Sequence, residues 1–150
     1  MNHQGRSQRD NAARPLPRER GQSMVELAFS LVFLLILIAG VVDLGRAFFT
    51  YIVLRDAAQE GALYGSINPT ESAEIANRAN AVLLDRVDLG DVTVTSTTTG
   101  TCSDGTNTIA VEVEYSDFPI TMPFLGTFVG SQSFTITANV IDTILSPPCP

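Results

Sequence analysis

Few residues in this chain could do chemistry, and their spacing limits what each can do. Glu112 and Glu114 stand two apart in "AVEVEY", with Asp117 close behind. Paired carboxylates work as general acid and base, or as acid and nucleophile, when they face each other across a cleft. Two apart on a strand, Glu112 and Glu114 instead share one side, so a solvated edge is the expectation and a carboxylate-only enzyme would need Asp117 to converge with them in a pocket. The only histidine, His3, lies near the N-terminus, so the rest of the chain cannot build a Ser-His-Asp triad, a Cys-His dyad or a histidine metal site. Asp104 and Asn107 in "SDGTN" offer too few oxygens for Ca²⁺ and read as a turn. No cofactor and no small-molecule substrate is expected. What remains is Glu26, a single carboxylate at the mouth of an apolar run and five residues after Gly21.

The charge distribution restricts partners. The 150 residues carry a formal charge of −7 and no lysine. Five of the nine arginines (Arg6, Arg9, Arg14, Arg18 and Arg20) precede Gly21, and from Gln22 onward four arginines face fourteen acids. A phosphate-binding stripe is therefore missing downstream, which argues against nucleic acid as a partner. The basic leader, residues 1–21, has no apolar periodicity, contains Pro15 and Pro17, and reads as disordered.

Leu27 to Val42 is an uncharged run of 16 residues, too long for a core strand and suited to a membrane-spanning helix. Arginines flanking such a helix stay on the cytoplasmic side. The expectation is a single-pass protein of the inner, cytoplasmic membrane with the leader inside, a span at about 24–44 and the C-terminal domain outside the cytoplasm. Residues 22–67 read as one helix, because no proline interrupts Ser23 to Ile67. At that length it would run roughly 65 to 70 Å, well beyond a hydrocarbon core of about 30 Å. Asp43 and Arg46 are one turn apart and can pair, either at the outer interface or inside the bilayer; the interface is favoured because a charge in hydrocarbon costs a few kcal/mol. Gly61 and Gly65 have the spacing that lets another helix come close, or they weaken the helix toward Asn68-Pro69.

Residues 68–150 read as an α+β domain. "NPTESAEIANRANAVLLDRV" predicts a second helix with Asn68 as cap, Pro69 at the first position and Glu71 three residues after the cap. Its apolar stripe is Ile75, Ala79, Val82 and Leu83. "VTVTSTTT", "TIAVEVEY" and "SFTITANVI" alternate as strands. Ile109, Val111, Val113 and Tyr115 share one face of the second, and Phe134, Ile136, Ala138 and Val140 are expected inward on the third. Three antiparallel strands with one apolar face need a cover, which the second helix can supply. "FPITMPFLGTFVG" is expected as a long irregular loop, because Pro119 and Pro123 oppose a central strand; Phe124, Leu125 and Phe128 would fold onto the sheet or present a patch. Cys102 and Cys149 both fall on the outer side, where disulfides persist. Paired, they would add roughly 4 kcal/mol by the chain-entropy account; unpaired thiols are the alternative.

The stretch from Arg20 to Ser66 adds a resemblance. Gly21 ahead of "QSMVE", behind a basic leader and ahead of an apolar span, resembles the site cut by the prepilin peptidase, which cleaves after the glycine on the cytoplasmic side. Gly21 and Gln22, Val25 and Glu26, Asp43 with Gly45 and Arg46, then Ala57, Ala58, Glu60, Gly61 and Ala62 are together similar to the TadE-like family of tight adherence (Tad) pilus systems. Leu63 stands where that family often has arginine, and Leu27 where an aromatic is common. The resemblance implies a minor pilin or pseudopilin: a structural, non-enzymatic subunit whose helix is stored in the bilayer and later packs against other pilin or Tad assembly subunits. It also implies a new amine at Gln22 that Glu26 of a neighbouring subunit would neutralise, which accounts for a carboxylate entering apolar surroundings. The competing reading is an uncleaved, signal-anchored surface-binding module with Glu26 snorkelling to the interface.

Overall fold

The computed structural model describes residues 20–100, 107–123, 126, 127 and 130–145. Residues 1–19 of the leader, Cys102, Cys149, Asp104, Phe124, Leu125 and Phe128 lie outside the described residues. The elements are helix α1 (Arg20–Ile67), helix α2 (Ser72–Leu83), a single 3-10 turn (Leu89–Asp91) and strands β1 (Val92–Thr99), β2 (Thr108–Pro119) and β3 (Ser133–Thr143). This is the α+β arrangement read from the sequence: a long apolar helix, a second helix and a three-stranded antiparallel sheet in the order β1-β2-β3. The internal contacts divide the chain after Leu34, leaving Leu35–Pro150 as one compact unit.

The second half of α1 belongs to the core of that unit. From Asp43 its buried positions fall along one helix face: Thr50, Val53, Leu54, Ala57, Ala58, Ala62 and Ser66. The last two turns of the stripe are small, which gives the helix a flat side. A Cβ on Gly61 would lie 3.2 Å from Val111 Cγ1 and 3.5 Å from Ile75 Cγ2, and one on Gly65 would overlap Ile109 Cδ1. The absent side chains therefore let β2 and α2 press against α1. Leu54, Ile75, Leu83, Ile109, Val111 and Val113 are fully buried together. The cover over the sheet, expected from α2 alone, is shared by α1 and α2.

α2 starts later than its sequence signals suggest. Its first helical residue is Ser72, and Glu71 at the cap position makes no side-chain capping bond. Asn68 and Pro69 instead open a turn in which the Glu71 amide donates to the Asn68 carbonyl at 3.2 Å. Asn at the first and Pro at the second position of a turn is an equally good use of those two residues. The reversal is held by the Tyr64 hydroxyl, which donates to Glu71 Oε2 at 2.6 Å, and by the Arg78 guanidinium, 5.1 Å above the Tyr64 ring. Ile75, Ala79 and Leu83 form the buried stripe of α2, with Val82 beside it.

In the sheet, Ile109, Val111 and Val113 face the core and are fully buried. β2 runs farther than expected, to Pro119, because a register shift between Tyr115 and Phe118 lets it bend and pair Phe118 with Phe134 and Pro119 with Ser133. Pro119 is the last residue of that central strand, where its missing N–H does not interrupt the ladder. On β3, Ile136 and Ala138 are buried as expected and Val140 is partly so, whereas Phe134 is 43 % exposed. It departs from the inward pattern because it lies beyond the bulge, where it packs against Phe118 with ring centroids 5.2 Å apart. After β3 the chain is tied back to α1: the Leu145 amide donates to the Ser66 carbonyl at 2.8 Å.

Candidate functional site

Among the described residues, the polar constellation that crosses the fold is centred on Asp43. This carboxylate is 8 % exposed on α1. Its Oδ2 accepts from the backbone N–H of Thr121 at 2.8 Å and of Met122 at 2.7 Å, and its Oδ1 accepts from the Thr121 hydroxyl. Arg46, one turn on, donates to Asp43 Oδ1 at 3.3 Å and to Thr121 Oγ1 at 2.6 Å, while its Cζ lies 5.3 Å from the Phe118 ring centroid. The pair anticipated from sequence therefore forms, and it also clamps the turn that follows β2. A carboxylate beside apolar helix turns is costly unless its lone pairs are satisfied, and the two amides, the hydroxyl and the guanidinium do this together. Thr121 and Met122 were missed by sequence reasoning. The available signal was that one arginine at i+3 leaves most of a buried carboxylate's acceptor capacity unused.

The turn reaches past Asp43 toward the N-terminus of the helix. A Cβ on Gly40 would meet the Met122 methyl, so Gly40 is where the turn rests on the helix. Beside it lies a groove of about 210 Å³ lined by Gly40, Asp43, Leu44, Ala47, Ile120, Met122 and Phe134. A second, more polar cavity of about 330 Å³ lies among Arg46, Thr50, Arg86, Asp88, Tyr115 and Phe118. There burial pushes the Tyr115 phenol above its ordinary value, helped by the negative charges of Asp91, Asp88 and Asp117.

The other residues singled out from sequence are dispersed. Gly21, Gln22 and Glu26 are exposed at the start of α1, and Gly45 is exposed with nothing within 4 Å of a Cβ built on it. Gly61 and Ala62 are buried by the chain's own α2 and β2. Glu112 and Glu114 lie on the sheet face opposite the core, in register with Thr95 and Asn139 and with Thr93 and Thr137. They occupy the central strand and not an edge, and Asp117 is turned to accept from the Ser133 hydroxyl at 3.1 Å. Among the described residues no group of three or more His, Cys, Asp or Glu is placed to hold a metal ion.

α1 is long and apolar enough to cross a membrane: its stretch Gly21–Ile67 contains a window of mean hydropathy 2.7 with none of it buried in the protein. Met24, Phe29, Phe33 and Leu37 are each half exposed or more, as suits a helix surrounded by lipid and not by protein. A family model described as TadE-like protein matches residues 21–63, the stretch on which the resemblance was read. No curated protein and no solved structure matches the chain.

Proposed function

Taking the TadE-like match over residues 21–63 as premise, we propose that this chain is a minor pilin or pseudopilin, a membrane-anchored structural subunit that supports assembly of a Tad-type pilus for adhesion or secretion. The observation that carries the reading is that the matched stretch joins a lipid-grade helix to a helix half already packed into a folded domain, with Glu26 exposed where the apolar run begins. The leader stays in the cytoplasm, α1 holds the subunit in the inner membrane, and the α+β domain stands outside. Prepilin peptidase cuts between Gly21 and Gln22, and the new amine pairs with Glu26 of a neighbouring subunit. On assembly the exposed face of α1 exchanges lipid for the helices of other pilin or Tad subunits, with Gly45 allowing close approach. Asp43 and Arg46 position the domain on its own helix, and Gly61 and Ala62 serve the packing of α1 inside the subunit. The function involves no turnover of substrate.

The test is to purify a C-terminally tagged chain from its own membranes after in-cell cross-linking, and to measure both its intact mass and its cross-linked partners. A chain beginning at Gln22 and cross-linked to pilus subunits supports the proposal. A chain that retains the arginine leader and captures no pilus component would favour the signal-anchored surface module.

A further inference from the structure

The turn after β2 is built in a way that its role inside the domain does not require. Ile120, Met122 and Phe134 surround an apolar groove that opens beside Gly40 and Leu44. Phe134 is 43 % exposed, and Leu44, which lines the same groove from the helix, is 70 % exposed. The apolar surface of the helix thus continues without a break onto the domain. A water-facing turn gains nothing from this, and a turn facing hydrocarbon would ordinarily be excluded by its unsatisfied backbone donors. From Ile120 to Pro123 every donor is accounted for. The Ile120 amide donates to the Gln132 carbonyl at 2.8 Å, the Thr121 and Met122 amides donate to Asp43, and Pro123 has no N–H. The neighbouring cation, Arg46, lies with its guanidinium over Phe118 and against Thr121, an arrangement that keeps an apolar stem low and a charge toward the interface.

We propose that Ile120 to Pro123, together with Phe134, forms a second membrane contact, seated at the boundary between acyl chains and headgroups in the leaflet from which α1 emerges. The occupant of the groove is lipid, because the groove is continuous with the lipid-facing surface of α1 and the backbone donors around it are already internally paired. Asp43 then acts twice, fixing the domain to the helix and removing the polar cost of bringing the turn to the bilayer. The domain is thereby held against the membrane surface instead of swinging on a free stalk. This inference rests on the membrane-anchoring part of the proposed function.

The chain has no tryptophan, so single tryptophans can report depth in the full-length protein reconstituted in phosphatidylcholine–phosphatidylglycerol vesicles. Phe134→Trp and, as a second reporter, Pro123→Trp probe the turn; Phe33→Trp probes the span; Thr95→Trp, on the exposed face of β1, probes the aqueous side. With brominated acyl chains, the turn reporters are expected to be quenched several-fold more strongly than Thr95→Trp, and Phe33→Trp most of all. Quenching of Phe33→Trp together with turn reporters that respond only to aqueous iodide would overturn the inference and leave the anchor intact. Turn reporters shielded from both quenchers, with shielding lost on dilution in lipid, would assign the groove to a second copy and also overturn it. Absence of lipid quenching at Phe33→Trp would remove the anchor itself.

Discussion

Asp43 and Thr121, 78 positions apart in the chain, are joined by two hydrogen bonds: the Thr121 amide and the Thr121 hydroxyl both donate to the Asp43 carboxylate. Asp43→Ala is expected to release the turn, leaving the Thr121 and Met122 amides without acceptors and Arg46 without its counter-charge. Hydrogen exchange at those two amides should accelerate by roughly tenfold or more, while amides at the centre of β2 stay protected. Asp43→Asn, which keeps one acceptor oxygen, should fall between. Unchanged exchange in Asp43→Ala would show that the turn is held by its apolar contacts alone.

The glycines of α1 divide into two kinds. At Gly65 an added methyl meets Ile109 and Ile75, both fully buried. Overpacking of about 1–3 kcal/mol should outweigh a helix-propensity gain of about 1 kcal/mol, so Gly65→Ala lowers the denaturation midpoint. Gly45→Ala meets nothing and should leave the midpoint unchanged or slightly raised. If Gly45→Ala nonetheless reduces pilus cross-linking, its surface is used between subunits.

Ile75 touches the helix at both Gly61 and Gly65. Its truncation to alanine should cost about 2–5 kcal/mol, the range for deleting a large aliphatic side chain from a packed core. Leu63, 57 % exposed on the same helix, should cost within about 0.5 kcal/mol when truncated. Equal losses in chemical denaturation would contradict the assignment of the core stripe.

Glu26 is exposed, and the proposed function gives it a role in assembly and none in the fold of the subunit. Glu26→Lys is expected to leave the denaturation of the α+β domain unchanged and to abolish cross-linking to pilus subunits, with Glu26→Gln less severe. A variant that assembles normally would rule out pairing with the amine of Gln22.

Tyr64 supplies a pH test. Donation to Glu71, then burial, then the charges of Glu71 and Glu74 raise its phenol above the ordinary tyrosine value, with Arg78 opposing. A raised folded-state pKa means that the contact contributes fully below the unfolded tyrosine pKa and is lost as pH rises through the folded one. Stability should therefore fall across the alkaline range more steeply in the parent than in Tyr64→Phe. Parallel pH profiles for the two proteins would show that the hydrogen bond contributes nothing to stability.

Patterns that are local in the chain could be read directly. An uncharged run after a basic leader reads as a helix long and apolar enough to cross a membrane, because hydropathy sums along the segment residue by residue. Strict alternation in "TIAVEVEY" implies a half-buried strand, because a strand's side chains alternate by geometry. The stripe Ile75, Ala79, Leu83 was legible for the same reason at the helical period. Asn68 and Pro69 carried two locally equivalent meanings, a helix cap and a turn. Only the Tyr64–Glu71 contact and the packing of α2 on α1 chose the turn.

The pairing of Asp43 with Thr121 and Met122, the seat of Met122 on Gly40 and the sharing of the sheet's cover between two helices belong to the tertiary structure. Each joins residues far apart in the chain through shape and unsatisfied hydrogen-bonding capacity, neither of which has a period in sequence. Hydropathy, charge and motif order along the chain establish a lipid-grade helix, an acidic α+β domain and a TadE-like stretch. Where the domain grips that helix was decided only when the chain closed on itself and a carboxylate in an apolar place found its donors.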